Sequence, residues 1–71
     1  MNNPRIKIIK QGGEGHGMYY TEFMLTAASD KSDLPNSQTP APDTAAIGSQ
    51  AYTQDMEHTY ILGTDDVWRE V

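Results

Sequence analysis

The glycine-rich stretch GGEGHG, residues 12–17, is the first segment whose residue types could bind a ligand. Loops of this kind hold phosphate groups in dinucleotide-binding and P-loop proteins. The dinucleotide pattern needs glycine at n, n+2 and n+5, but counting from Gly13 the third place is Met18. A P-loop ends in Gly-Lys-Ser/Thr, which is missing here. We therefore predict a mobile hairpin tip, with ligand binding and a close backbone approach to a protein partner as the open alternatives.

The two histidines, His16 and His58, are the residues that could bind a metal ion. They lie far apart in the sequence, and each has one glutamate nearby, Glu14 or Glu57. A zinc site needs three or four nitrogen or sulfur ligands, and the chain has no cysteine. We predict solvated loop histidines, no metal site and no cofactor.

The adjacent carboxylates of Asp65 and Asp66 follow Gly63 and could suggest calcium or acid–base chemistry. The calcium-loop pattern Asp-x-Asp-x-Asp-Gly is absent, and aspartates in a turn usually bond their own backbone. Acid–base catalysis needs a cleft that perturbs the carboxylate pKa values, which a small chain offers poorly. Neither histidine has a nucleophile motif around it. The sequence therefore predicts a protein that is not an enzyme.

The size and composition of the chain limit how these residues can be held. Seventy-one residues form at most one domain, and a core of this size rarely contributes more than about 3–5 kcal/mol. Without cysteine there are no disulfides, so association with other chains is the expected source of added stability. No apolar run reaches the roughly 18 residues of a membrane span, and the N-terminus has no signal-peptide core. We expect no membrane contact, and synthesis inside a cell without an export signal.

The charge is acidic overall and unevenly distributed. The formal net charge of −5 argues against nucleic acid as a partner, because such binding depends on neutralising phosphates. Arg5, Lys7 and Lys10 nevertheless lie in an N-terminal stretch that contains no acidic residue. This basic strand could meet an acidic surface on a neighbouring copy, or its charges could face water and discourage edge pairing.

The alternation of side chains predicts a mostly β protein. Residues 1–26 read as an N-terminal β-hairpin, although the second strand, MYYTEFMLT, would also tolerate a helix. Residues 27–45 are rich in Pro, Ser and Thr, and we predict an extended arm or linker. Residues 46–71 read as a three-strand antiparallel meander, with strands at 51–53, 59–62 and 67–71. We expect oligomerisation to complete this fold.

The large apolar side chains near the C-terminus exceed what three short strands can bury on one side. Tyr60 and Leu62 alternate with Ile61, so both faces of the sheet should need a cover. The hairpin can cover one face, and another copy or a different protein the other. Tyrosine and tryptophan are frequent anchors at interfaces. The predicted protein-interface residues are Tyr52, Tyr60, Ile61 and Trp68.

The C-terminal stretch also resembles the closing segment of small virion-associated proteins of tailed phages and prophages, including head-fibre-like proteins. The resemblance covers about the last 30 residues and has the form Gly-Ser-x-Ala-Tyr-Thr-x-Asp, Tyr-x-Leu-Gly and Asp-x-x-Trp-x-x-Val. The chain departs from the pattern at Asp66, where glycine is common. The matching residues are Gly48, Ser49, Ala51, Tyr52, Thr53, Asp55, Tyr60, Leu62, Gly63, Asp65, Trp68 and Val71.

The resemblance implies a minor structural protein of the virion, made in the bacterial host cytoplasm. Its partners would be other copies of itself, with a trimer as one implied state, and a phage capsid or tail protein. We expect a self-associating adaptor, decoration or fibre-base element. The alternative is a monomeric binding module that grips a host or phage protein.

Overall fold

The computed structural model describes residues 3–15, 18–40 and 43–71, and the side chains of 13–15, 18 and 19 are left undescribed. The predicted hairpin tip at 12–17 is wrong for residues 12–15, which continue the first strand, while residues 16 and 17 lie outside the described ranges. Five strands form one mixed sheet, which confirms the predicted mostly β class. The strands are β1 (Ile6–Gly15), β2 (Met18–Leu25), β3 (Gln50–Thr53), β4 (Thr59–Leu62) and β5 (Trp68–Glu70), in spatial order β1-β2-β3-β4-β5.

Three of the four strand pairings are antiparallel, and β2 with β3 is parallel. The antiparallel pairs correspond to the predicted hairpin and meander. A parallel pair needs a crossover connection of about a dozen residues or more. The segment 26–49 supplies it, so the two predicted β pieces belong to a single sheet. The Cα radius of gyration of 10.9 Å agrees with the roughly 11 Å expected of one compact domain of this length.

The crossover connection departs from the predicted extended arm. It begins with a 3₁₀ helix, Ala28–Asp33, and it returns to the sheet through the buried residues Thr44, Ala45 and Ala46. Leu34 and Ala45 join the hydrophobic core instead of spanning to a neighbour. The difference has a physical reason: burying the few apolar side chains of this segment stabilises the packed form relative to an extended segment in water. Within the described ranges, no helix is long and apolar enough to cross a membrane.

An ion pair between the exposed Arg5 and the buried Asp30 fixes the start of this connection. Arg5 Nε lies 2.9 Å from Asp30 Oδ1, and Asp30 Oδ2 accepts a hydrogen bond from the Ala27 backbone at 3.0 Å. The Arg5 hydrogen bond is the main reason why the pKa of Asp30 lies below its usual value. One carboxylate therefore joins the beginning of β1 to the beginning of the 3₁₀ helix.

The sheet has two faces of different character. We define the inner face as the side on which every buried apolar strand residue lies, and the connection packs against it. Thr21, Phe23 and Leu25 alternate into this face, as the sequence pattern predicts. Ile6 and Ile8 pair with the inner-face residues Leu25 and Phe23, but only Ile6 is buried and Ile8 is 45% exposed. A bulge at Ile9 shifts the register of β1 beyond this point. The buried apolar strand residues are Ile6, Phe23, Leu25, Ala51, Tyr60, Leu62 and Trp68.

Candidate functional site

Tyr60 and Trp68, two of the four predicted interface residues, lie in the protein's own core. Their side chains are 4% and 7% exposed. The Trp68 ring meets Phe23 edge-to-face with centroids 5.9 Å apart, and its Nε1 donates to the Pro35 carbonyl at 2.9 Å. Neither ring therefore needs a neighbouring molecule to bury it. The connection, whose composition predicts a linker, covers them instead.

Tyr52 and Ile61, the other two predicted interface residues, lie on the opposite side of the sheet. We define the outer face as this side, whose strand residues are all half-buried or exposed. The register brings the members of neighbouring strands side by side, as in the pair Gln50 and Ile61 and the pair Ile61 and Arg69. The outer face consists of Lys7, Lys10, Tyr20, Glu22, Met24, Gln50, Tyr52, Thr59, Ile61 and Arg69.

A polar cluster orders the middle of the outer face. The Tyr52 hydroxyl lies 3.0 Å from Glu22 Oε1 and 2.5 Å from Gln50 Oε1. Partial burial raises the pKa of Tyr52, and the neighbouring Glu22 carboxylate adds to this effect. The hydroxyl therefore keeps its proton at neutral pH and can donate it to either acceptor. These contacts hold Glu22 and Gln50 in fixed orientations.

A groove of about 390 Å³ opens beside this cluster, where β1, β2 and the start of β3 meet. We call it the Tyr20 groove. The Tyr20 side chain is 56% exposed, and a β-carbon built on Gly48 would lie 3.4 Å from its Cε1 atom. Gly48 also has a φ of +96°, which favours glycine. The lining residues are Lys10, Gly12, Tyr20, Thr21, Glu22, Gly48, Ser49 and Gln50.

The floor of the groove is rigid because the buried Ser49 is fully bonded. Its hydroxyl donates to the Ala46 carbonyl at 2.7 Å and accepts from the Thr21 backbone N–H at 3.1 Å. The Gly48 backbone N–H donates to the Leu62 carbonyl at 2.8 Å. These bonds fix the backbone on which the Tyr20 ring lies.

The other candidate residues, His58, Asp65 and Asp66, bond to neighbouring groups in turns and at strand ends. His58 Nδ1 lies 2.7 Å from Glu70 Oε2, and this contact is the main reason why the pKa of His58 is raised. Asp65 pairs with Arg69, and Asp66 accepts from the Ser37 backbone at 3.0 Å. Within residues 3–15, 18–40 and 43–71, no group of three His, Cys, Asp or Glu side chains is placed to hold a metal ion.

Sequence reasoning missed the Tyr20 groove as a site. The alternation in MYYTEFMLT predicts that Tyr20 and Glu22 share one face, but no pattern in the sequence predicts Gln50 as their neighbour. That neighbour depends on the parallel pairing of Glu22 with Gln50. Compared with protein-family models, curated proteins and solved structures, the chain matches none of them. The resemblance to phage virion proteins therefore stays a prediction.

Proposed function

We propose that this chain is a small structural protein that works by surface contact and associates with copies of itself through its outer face. One observation carries the proposal: among residues 3–15, 18–40 and 43–71, no second layer covers the outer face of the sheet. Parallel sheets are usually covered on both faces, yet the parallel pair β2 and β3 is covered only on the inner side. Met24, Tyr52 and Ile61 are half-buried on the side that remains.

The chemistry of the outer face supports a protein partner. Tyrosine combines a large apolar ring with a polar end, and it is enriched where an interface must also tolerate water. Tyr20 and Tyr52 lie on this face together with Met24 and Ile61. The basic side chains of Lys7 and Lys10 border the face, whereas the chain as a whole carries a net charge of −5. A second copy can thus offer acidic groups to this basic border.

The resemblance of the C-terminal segment gives the proposal its setting. We propose that the protein is part of a phage virion, where a capsid or tail protein is its second partner. The self-associated form would serve there as an adaptor, decoration or fibre-base element. The proposed role involves contact, not catalysis. The buried Tyr60 and Trp68 would support the contact surface from within, because they hold β4 and β5 against the core.

Sedimentation velocity of the purified chain tests the self-association. We expect a species larger than a monomer at about 50 μM, the range in which weak interfaces assemble. Ile61→Glu should give a folded monomer, because the new carboxylate faces Arg69 across the strands but disfavours an apolar contact. Val67→Glu is the matched control, since Val67 is 47% exposed but belongs to no strand of the sheet.

A wild-type chain that sediments only as a monomer at this concentration would refute self-association. It would favour the alternative of a monomeric binding module. An equal loss of association in Ile61→Glu and Val67→Glu would assign the contact to a surface other than the outer face.

A further inference from the structure

The Tyr20 groove has the form of a small-molecule site and not merely of a gap between strands. Its volume of about 390 Å³ falls within the range of about 300–1,000 Å³ that is typical of ligand pockets. One wall is an exposed aromatic ring that is held against Gly48. Neither Gly12 nor Gly48 carries a side chain that would fill the groove.

The polar groups that converge on the groove carry both signs of charge. Lys10 and Glu22 are direct partners in the register of β1 and β2, and Glu22 is the register partner of Gln50. Lys10 forms no ion pair within the described part of the chain. Lysine offers donors, a carboxylate offers acceptors, and the glutamine amide offers both. The local charge sums to zero.

This combination selects against charged ligands. An anion drawn to Lys10 would be repelled by the Glu22 carboxylate beside it, and a cation drawn to Glu22 would be repelled by Lys10. A nucleic acid is further disfavoured by the net charge of −5. A neutral ligand with many hydroxyl groups meets no such conflict, because each hydroxyl both donates and accepts.

We infer that the Tyr20 groove binds a neutral saccharide, with one pyranose ring packed on the Tyr20 ring. The axial C–H groups of a pyranose form an apolar face that complements an aromatic ring, and its hydroxyl groups project from the rim. The rim hydroxyls meet Lys10, Glu22 and Gln50, two of which the Tyr52 hydroxyl already holds in position. Because the groove is open on one side, the remaining hydroxyls stay hydrated.

An NMR titration of the ¹⁵N-labelled chain tests this inference, both in the wild type and in the Ile61→Glu chain, which is expected to be a monomer whose groove no second copy covers. The probes are methyl-β-glucoside, N-acetylglucosamine and lactose, each up to about 50 mM, which suits the millimolar dissociation constants of a one-ring site. We expect at least one probe to shift the amides of Tyr20, Glu22, Gly48 and Gln50 in a saturable manner. Sodium phosphate over the same range serves as the anion probe.

Three variants locate the binding. Tyr20→Ala should weaken it about tenfold because the stacking surface is lost, while Tyr20→Phe should stay within about threefold of the wild type. Met56→Ala is the matched control, because Met56 is 69% exposed and lies in the turn between β3 and β4. It should bind like the wild type.

The inference fails if none of the three saccharides shifts these amides. It also fails if Tyr20→Ala binds as tightly as the wild type, or if phosphate binds and the saccharides do not. These outcomes are distinguishable from failure of the proposed self-association, because the Ile61→Glu variant leaves the lining of the groove intact. A monomeric Ile61→Glu chain that still binds the saccharide would show that the groove binds its ligand without self-association.

Discussion

The indole of Trp68 is predicted to hold the crossover connection against the sheet, and Trp68→Phe tests this role. The tryptophan is 7% exposed and its Nε1 donates to the Pro35 carbonyl at 2.9 Å in the protein interior. Phenylalanine can keep the edge-to-face contact with Phe23 but has no donor. The substitution thus removes one buried hydrogen bond together with part of the ring volume.

The magnitude follows from two contributions. Leaving a buried carbonyl without its partner costs about 1–3 kcal/mol. The smaller ring leaves a void of roughly 40 Å³, which at about 24 cal/mol per Å³ adds about 1 kcal/mol. We therefore expect Trp68→Phe to lose about 2–4 kcal/mol of unfolding free energy, a large share of the roughly 3–5 kcal/mol that a core of this size supplies.

Urea unfolding followed by far-ultraviolet circular dichroism measures the loss without relying on tryptophan fluorescence. Val71→Ala is the control, because Val71 is 79% exposed and should change stability by less than about 0.5 kcal/mol. Amide exchange gives a second readout. The Leu34 and Ala45 amides are bonded within the connection, and Trp68→Phe should speed their exchange relative to the wild type more than it speeds that of the β4 amides. A loss below about 1 kcal/mol with unchanged exchange would refute the role assigned to the indole.

Three further predictions concern the turns and the sheet edge. Met56 has a φ of 63°, so Met56→Gly should stabilise the chain by about 0.5–1 kcal/mol in urea unfolding, while Glu57→Gly should not. Gly48→Ala should lower stability by about 1–2 kcal/mol in the same assay because its φ is +96°, and no loss would contradict the strain. The raised pKa of His58 lies above its unfolded value, so its contact with Glu70 stabilises the fold below about pH 6.5 and is lost as pH rises through the folded pKa. Unfolding measured against pH should show this slope in the wild type and not in Glu70→Gln.

The strands could be predicted from the sequence because their signals are local. The alternation in MYYTEFMLT placed Thr21, Phe23 and Leu25 on one face, and all three are buried. The β4 strand occupies 59–62, as its pattern predicts. Turn residues ended each strand without reference to distant parts of the chain. At Asp66, which departs from the glycine of the phage pattern, the backbone has the φ of 66° that would favour glycine.

The role of the crossover connection could not be predicted because its signals are long-range. Its proline and serine content is typical of a solvated arm, and the few apolar residues that anchor it, Leu34 and Ala45, carry no periodicity. Their burial depends on the parallel pairing of β2 with β3, which no local pattern specifies. A reading of the sequence without that pairing finds no cover for Tyr60 and Trp68 within the chain, and it therefore predicts a partner for them.

The same pairing explains why one face of the sheet stays open. A crossover between adjacent parallel strands passes over one face, and here its residues Leu34 and Ala45 join the inner core. Met24 and Ile61 lie on the opposite face of the sheet from these residues. Within the described part of the chain, the outer face therefore keeps the half-buried apolar side chains of Met24 and Ile61 at the surface. Because the inner face already buries Tyr60 and Trp68, the proposed association would not be needed for folding, and the proposed partners would meet a preformed surface.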